Sequence, residues 1–159
     1  MHKNELLIRN FYSAFQRKDY ETMGRYYADD AVFSDPVFGL LQGPEVRAMW
    51  KMLCLQAGSL ELTFNPAPCE DEAYAQCNWT AIYRFSGTGR LVRNEVKAYM
   101  RIEDGKILEH TDRFDLWKWS RQALGLKGTL LGWSVFFQQK IQQKARGSLQ
   151  RFMAGNNHY

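Results

Sequence analysis

Cysteines are few in this sequence, and long hydrophobic runs are absent. The 159 residues include only Cys54, Cys69 and Cys77, an odd number without C-x-x-C spacing, which argues against a disulfide framework or a zinc site. No apolar run approaches the ~18 residues of a membrane span, and the first residues open an amphipathic helix where a secretion signal would have its apolar segment. We therefore expect a cytoplasmic protein with reduced, partly buried thiols.

Acidic residues are missing from the end of the chain, where the last one is Asp115. The residues after it include seven basic ones, whereas the preceding part has 14 basic and 17 acidic residues. Such asymmetry is typical of proteins that bind nucleic acid or anionic membranes. However, nucleic-acid binders usually combine such charge with a recognisable motif or with stacking aromatics in a basic groove, whereas the basic residues here are spaced as one solvated helix face. We therefore favour a solvated face and expect no nucleic-acid partner.

The first part of the chain predicts three helices and one short strand. Apolar residues recur at three- and four-residue intervals over residues 5–17, and Asp19 is a suitable N-cap for a second helix over residues 20–27. Residues 31–35 favour a strand, and residues 36–43, with two glycines and a proline, are predicted to be irregular. A third helix is expected from Pro44 until Gly58.

Four strands are predicted next, over residues 60–68, 73–86, 91–103 and 106–117, with glycine-containing turns between neighbours. Neighbouring strands should pair antiparallel. Alternation gives each strand one inward face, and in the last strand that face carries Leu108, His110, Asp112, Phe114 and Leu116. A shift of one residue would turn all of these side chains outward.

Residues 119–159 are predicted to form a basic, amphipathic, helical extension of the domain at residues 1–118; the last four, 156–159, lie outside the residues that the structure describes. Gly125, Gly128 and Gly132 interrupt the first part, and a long helix is predicted over residues 133–153. Its apolar residues recur about every fourth position, at Trp133, Phe137, Ile141, Ala145, Leu149 and Phe152 or Met153. We expect this stripe to lie across the domain or against a partner subunit. An interfacial membrane helix is the alternative, because Trp and Phe oppose Lys and Arg.

Helices followed by a curved antiparallel sheet predict an α+β fold that encloses a cavity. The inward positions of the strands and helices make the predicted pocket, which comprises Phe11, Phe15, Phe33, Trp50, Trp79, Tyr83, Ala98, Met100 and Phe114. Such a pocket is apolar and contains few polar groups. Its expected ligand is a small apolar molecule.

Three titratable residues fall on this apolar surface: Asp112, His110 and Asp35. An ionised carboxylate removed from water needs a partner or has a function. Desolvation would raise the pKa of Asp112 toward the range useful for acid-base catalysis; alternatively, Asp112 is a structural residue paired with an arginine or a tyrosine hydroxyl. His110 is ~6–7 Å away along the strand, and Asp35 lies either at the cavity rim or in an ordinary turn. Their spacing matches no metal motif, so no metal is expected.

Three segments carry a family resemblance: residues 27–39 (YADDAVFSDPVFG), residues 43–45 (GPE) and residues 104–112 (DGKILEHTD). Together with the order of elements, they resemble the nuclear transport factor 2-like superfamily, in particular its SnoaL-like and ketosteroid-isomerase-like members, over about residues 5–118. The resemblance implies a cystatin-like cone of helices on a strongly curved antiparallel sheet, and a homodimer. It implies no single activity, because the superfamily includes isomerases, cyclases, dehydratases, epoxide hydrolases and non-catalytic binding proteins.

The residue matches to these enzymes are partial. Asp35 matches the general base of ketosteroid isomerases, but their oxyanion-hole tyrosine and aspartate correspond to Phe11 and Ala98, which cannot donate a hydrogen bond to an enolate. Asp112 matches the acid-base aspartate of SnoaL-like polyketide cyclases. The accompanying histidine of those cyclases again corresponds to Ala98, although His110 could point into the same space.

The sequence therefore predicts a cofactor-independent isomerase, cyclase or dehydratase. In this hypothesis Asp112, aided by His110 and Asp35, transfers protons on an apolar, oxygen-bearing substrate such as a polyketide or terpenoid. A non-catalytic ligand-binding or dimerisation module of the same fold is the alternative. Association of the basic extension with a membrane surface is a third hypothesis, which the sequence does not favour.

Overall fold

The helices of the first part of the domain agree with the sequence prediction. The computed structural model describes residues 1–69 and 71–155, and it begins with α1 (Lys3–Gln16) and α2 (Tyr20–Arg25). Asp19 caps α2 by accepting a hydrogen bond from the N–H of Thr22. The third helix, α3 (Pro44–Gln56), has Pro44 in its first turn, where the missing N–H needs no partner.

The sheet has six strands, one more than predicted: β1 (Tyr27–Asp35), β2 (Gly39–Gln42), β3 (Leu60–Pro66), β4 (Tyr74–Arg84), β5 (Leu91–Glu103) and β6 (Lys106–Arg113). Their order is β2-β1-β6-β5-β4-β3. The predicted antiparallel pairing of consecutive strands is confirmed for β3 to β6, whereas β1 pairs parallel with β6. The prediction of an irregular segment over residues 36–43 was wrong in its second half, because β2 forms a hairpin with β1.

Two details of the last strand differ from the prediction. A bulge opposite Arg101 and Ile102 leaves one extra residue in β6, so the fully buried Ile107 faces the core where Leu108 was expected. The strand also ends at Arg113. Leu116 opens a helix instead, because the side chain of Asp115 caps its first turn.

Three helices follow the sheet: α4 (Leu116–Leu124), α5 (Leu126–Leu131) and α6 (Val135–Gly155). The last of them packs on α3 and contacts the β1–β2 hairpin, where Arg146 donates hydrogen bonds to the carbonyls of Phe38, before β2, and Leu40, within β2. Leu149 is fully buried, but Trp133 is 67% exposed. The predicted apolar stripe is therefore buried or half-buried against the domain along α6, whereas its first residue, Trp133, is exposed.

The core fills the narrow part of the cone and continues under α4, where Val92, Leu116, Trp119 and Ala123 form a smaller cluster. The thiols of Cys54 and Cys77 are buried, and Cys69 is partly exposed. Within residues 1–69 and 71–155, no helix is both long enough and apolar enough to cross a membrane.

Candidate functional site

A cavity of about 560 Å³ lies between the concave face of the sheet and helices α3, α4 and α6. Six residues of the predicted pocket line it, namely Phe15, Phe33, Trp50, Trp79, Tyr83 and Phe114. Asp35 and Asp112 are also in its wall. The cavity is thus mostly apolar and contains two carboxyl groups, as expected for a site that binds an apolar molecule and orients it through few polar contacts.

Phe11, Ala98 and Met100 were predicted to line the pocket and do not. The cavity lies over the half of the sheet that carries residues 79–87 and 112–114. Ala98 and Met100 pair with Asp112 and His110 and extend into the other half, where core side chains fill the cone. Phe11 is fully buried there, with its ring edge-on to His110.

His110 is also behind the cavity wall, where it connects the side chain of one tyrosine with that of one aspartate. Its Nε2 is 2.8 Å from Oδ1 of Asp112, and its Nδ1 is 2.7 Å from the hydroxyl of Tyr27. The same hydroxyl accepts a hydrogen bond of 2.8 Å from Nε1 of Trp50. We call this connected set of Trp50, Tyr27, His110 and Asp112 the Trp–Tyr–His–Asp chain. All four residues are buried.

The Trp–Tyr–His–Asp chain assigns the position of the histidine proton. Because Trp50 donates to the oxygen of Tyr27, the tyrosine proton needs an acceptor, and Nδ1 of His110 is the one at hand. The other ring nitrogen then carries the proton and donates it to Asp112. His110 thereby orients the carboxylate of Asp112, which makes it a positioning residue.

Tyr27 is the residue of this site that sequence reasoning missed. The predicted second helix extended over it, but α2 ends at Arg25 and Tyr27 starts β1. Burial raises its pKa well above the ordinary range, and the charge of Asp112 acts in the same direction. A buried tyrosine normally finds a hydrogen-bond partner, yet its partner here is 83 residues away in the chain. No local pattern indicates that contact.

Asp35 belongs to a turn and to the cavity at once. Its Oδ1 accepts hydrogen bonds of 2.9 and 2.6 Å from the N–H groups of Val37 and Phe38. Burial raises the pKa of Asp35 to about 7; the charge of Asp112 adds to this effect, and the two backbone hydrogen bonds oppose it. Such a pKa allows the carboxyl to hold or release a proton near neutral pH.

The register of the sheet brings the two aspartates together. Ser34 of β1 pairs with Thr111 of β6 in parallel, and Asp35 and Asp112 are the next residues of the two strands. Both side chains contribute to the same cavity wall. Two like charges in an apolar site disfavour each other, and the charge of Asp112 therefore adds to the rise in the pKa of Asp35, of which burial is the largest cause.

Two further side chains bring hydrogen-bond donors to the cavity wall. The hydroxyl of Tyr83 accepts a hydrogen bond of 2.9 Å from Nε1 of Trp119, which leaves its own proton to donate. Nε1 of Trp79 is buried and has no hydrogen-bond partner among the described residues, and the same is true of the hydroxyl of Tyr12. Buried donors of this kind are costly unless something binds them. Nε1 of Trp79 has almost no accessible surface, so the hydroxyl of Tyr83 is the candidate for a contact with an oxygen of a ligand.

No group of three or more His, Cys, Asp or Glu side chains is arranged to hold a metal ion in the part of the chain that the structure describes. Asp35 and Asp112 approach each other, but His110 uses both ring nitrogens within the Trp–Tyr–His–Asp chain. The arrangement is suited to proton transfer by carboxyl groups.

Comparison with known proteins identifies the family of the domain and structures with a similar fold. Residues 8–110 match the model of the SnoaL-like domain. A protein of Pseudomonas putida KT2440 predicted to be a polyketide cyclase has a similar structure, with a TM-score of 0.67, 19% identity, and coverage of 77% of this chain and 98% of that one. No curated protein matches the chain in sequence.

Two other similar structures have different names. An M. tuberculosis LEH-like epoxide hydrolase has a TM-score of 0.64 and 20% identity, over 80% of this chain and 95% of that one. A protein of Catenulispora acidiphila with a ketosteroid isomerase-like fold has a TM-score of 0.64 and 14% identity, over 77% and 95%. At such identities the likeness shows the fold alone.

Proposed function

The chain belongs to the SnoaL-like domain family, and on this premise we propose that its cavity binds an apolar, oxygen-bearing small molecule and catalyses a proton transfer within it. The observation that carries this proposal is the pair of carboxyl groups, Asp35 and Asp112, in one apolar cavity but with different hydrogen-bond partners. Carboxyl groups whose environments differ can divide the roles of acid and base. The proposed reaction is an isomerisation, cyclisation or dehydration without a cofactor.

Asp112 is the proposed general base. Its Oδ1 accepts the hydrogen bond from Nε2 of His110, so Oδ2 is the oxygen that takes the proton from a carbon next to a substrate carbonyl. The Trp–Tyr–His–Asp chain holds the carboxylate in one orientation. Positioning of this kind lowers the entropic cost of reaching the reactive geometry.

Asp35 is the proposed general acid. Its pKa of about 7 leaves it largely protonated at slightly acid pH, and its proton resides on Oδ2 because Oδ1 accepts both backbone N–H groups. It would protonate the oxygen or carbon that becomes basic when Asp112 removes a proton. Tyr83 would hold the substrate oxygen during this step, because its hydroxyl proton is available to donate. The side chains of Phe11 and Ala98 have no hydrogen-bond donor.

The test is exchange of substrate hydrogen with deuterated water. A panel of cyclic and open-chain polyketide- and terpenoid-like ketones is incubated with the protein in D₂O, and proton NMR follows loss of the hydrogens next to the carbonyl. At least one ketone should exchange faster with the wild type than in D₂O without protein. Asp112→Asn should slow this catalysed exchange by about 100-fold or more. Asp30→Asn is the matched control, since Asp30 lies exposed on the same strand as Asp35. If the panel binds and exchange is as fast with Asp112→Asn as with the wild type, Asp112 is not the base.

A non-catalytic binding module of the same fold is the alternative. The observation in its favour is that Asp112 is paired, although with a histidine rather than with the expected arginine or tyrosine. Replacing the carboxylate weakens the hydrogen bond that it accepts from Nε2 of His110, which lowers stability when this contact is structural. A binding module should bind the ketones without catalysing exchange even as the wild type, and Asp112→Asn should lose stability. A catalytic aspartate should instead give a variant at least as stable as the wild type.

A further inference from the structure

Exposed apolar side chains concentrate on α5 and the start of α6. Six large ones occur within eleven residues: Leu126, Leu130, Leu131, Trp133, Val135 and Phe136, between 45% and 75% exposed. We call them the 126–136 surface. Contiguous apolar groups of this size on a protein surface mark a site that contacts another apolar phase or molecule.

Lysine side chains lie next to the 126–136 surface. Nζ of Lys140 lies 4.6 Å from the ring centre of Phe136, and Nζ of Lys127 lies 5.8 Å from that of Phe137. Neither these lysines nor Lys144 has a carboxylate partner among the described residues. Because no acidic residue follows Asp115, the helices α4, α5 and α6 contain no acidic side chain that would offset this positive charge.

The mouth of the cavity adjoins this surface. Lys127, Phe137, Lys140 and Lys144 contribute to the cavity wall, and the first three lie within α5 and the start of α6, among the exposed apolar residues. A molecule bound at the 126–136 surface would therefore sit beside the entrance to the site that holds Asp35 and Asp112.

We propose that the 126–136 surface docks on an anionic lipid bilayer. Trp133, Phe136 and the exposed leucines enter the boundary between head groups and acyl chains, while Lys127 and Lys140 contact lipid phosphates. Docking in this orientation turns the mouth of the cavity toward the bilayer, from which an apolar ligand can enter without crossing water. This inference goes beyond the proposed reaction and does not depend on it.

Charge favours a lipid surface over a second copy of this chain. Two copies joined through their 126–136 surfaces would bring the same lysines close to one another, with no carboxylate after Asp115 to separate them. An anionic bilayer supplies the opposite charge and an apolar layer together.

Vesicle co-sedimentation tests the proposal with the full chain. Vesicles of phosphatidylcholine with about 30% phosphatidylglycerol are compared with pure phosphatidylcholine vesicles at about 50 and about 500 mM NaCl. We expect at least about tenfold tighter binding to the anionic vesicles at low salt, and its loss at high salt. No binding to anionic vesicles at low salt would overturn the proposal.

Paired variants separate the apolar and the charged contributions. Trp133→Ser with Phe136→Ser should weaken vesicle binding by at least about tenfold, and Lys127→Gln with Lys140→Gln by roughly fivefold for each charge. Matched controls remove similar groups elsewhere: Leu40→Ser with Leu91→Ser, 53% and 57% exposed in the wild type, and Lys3→Gln with Lys97→Gln. If control and surface variants bind vesicles equally, the 126–136 surface is not the docking site.

Light scattering decides between a bilayer and a second copy. A homodimer, which the family resemblance implies, agrees with the proposal when it persists in the Trp133→Ser, Phe136→Ser variant. A homodimer that this variant dissociates would assign the 126–136 surface to a partner subunit and overturn the proposal.

Discussion

Nε2 of His110 lies 2.8 Å from Oδ1 of Asp112, and both side chains are buried in the same face of β6. Residues two apart on a strand share a face, so this pair is a local product of the sequence. Its orientation is not, since Tyr27 and Trp50 determine which ring nitrogen carries the proton. The hydrogen bonds thus connect α3, β1 and β6 at the back of the cavity.

Tyr27→Phe should destabilise the fold, because it leaves Nε1 of Trp50 and Nδ1 of His110 without their partner. Each buried polar group that loses its hydrogen bond lowers the free energy of unfolding by about 1–3 kcal/mol. Urea denaturation at neutral pH should therefore show a lower free energy of unfolding for Tyr27→Phe than for the wild type. The matched control is Tyr12→Phe. The hydroxyl of Tyr12 is buried without a described partner, so its removal should leave stability unchanged or raise it. Equal losses for both variants would contradict this account of Tyr27.

Asp35→Asn should change how stability depends on pH. The pKa of Asp35 is about 7 in the folded protein, against 3.8 for an ordinary aspartate such as that of the unfolded chain. The contribution of this carboxyl to the free energy of unfolding is therefore fully present below about pH 4 and is lost as pH rises to about 7. Asparagine keeps the acceptor oxygen for the turn and has no such loss. The free energy of unfolding of the variant should therefore exceed that of the wild type by a few kcal/mol at pH 8 and equal it near pH 4, as measured by urea unfolding.

Asp35→Ala provides the control for this prediction. It removes the acceptor of the N–H groups of Val37 and Phe38, so the loss of the turn opposes any gain from removing the charge. The alanine variant should be less stable than the asparagine variant at every pH. If Asp35→Asn and the wild type show the same pH dependence, the carboxyl of Asp35 is better solvated than the cavity wall indicates.

Asp112→Asn should lower the pKa of Asp35. The charge of Asp112 contributes to the rise of that pKa to about 7, although burial is the largest cause. Without the charge, the pKa should fall below about 7 and stay above 3.8. Carbon-13 NMR titration of the side-chain carboxyls, assigned with Asp35→Asn, measures this change directly. Asp30→Asn should leave the Asp35 titration unchanged, and an unchanged titration in Asp112→Asn would show that the two carboxyls do not interact.

Gly128→Ala should disrupt the packing of α5 on α4. A β-carbon at Gly128 would overlap the backbone carbonyl of Ser120, which cannot move without displacing α4. Overpacking of this kind costs about 1–3 kcal/mol. Gly147→Ala is the control, because a β-carbon there meets only the end of the Arg151 side chain at 3.4 Å, and alanine favours the helix by about 0.5–1 kcal/mol. Thermal unfolding should separate the two; equal effects would contradict the close approach.

The two carboxyls of the cavity and most of its aromatic wall could be predicted from the sequence. Alternation along β4 and β6 identified Trp79, Tyr83 and Asp112 from their immediate neighbours. The same reasoning was wrong for Leu108, because a bulge depends on the partner strand. It also assigned Ala98 and Met100 to the pocket, since alternation tells which face a residue has but not how far along the strands the cavity extends.

The sequence by itself determined the helices, most of the strands and the inward faces, because helical and strand periods are properties of neighbouring residues. Only the tertiary structure decided the parallel pairing of β1 with β6, which brings Tyr27 to His110 across 83 residues and sets Asp35 beside Asp112. It also decided that α6 packs on the domain while the 126–136 surface stays exposed. Hydrogen bonds, desolvation and exposure depend on contacts between distant segments, so they arise only when the chain is folded.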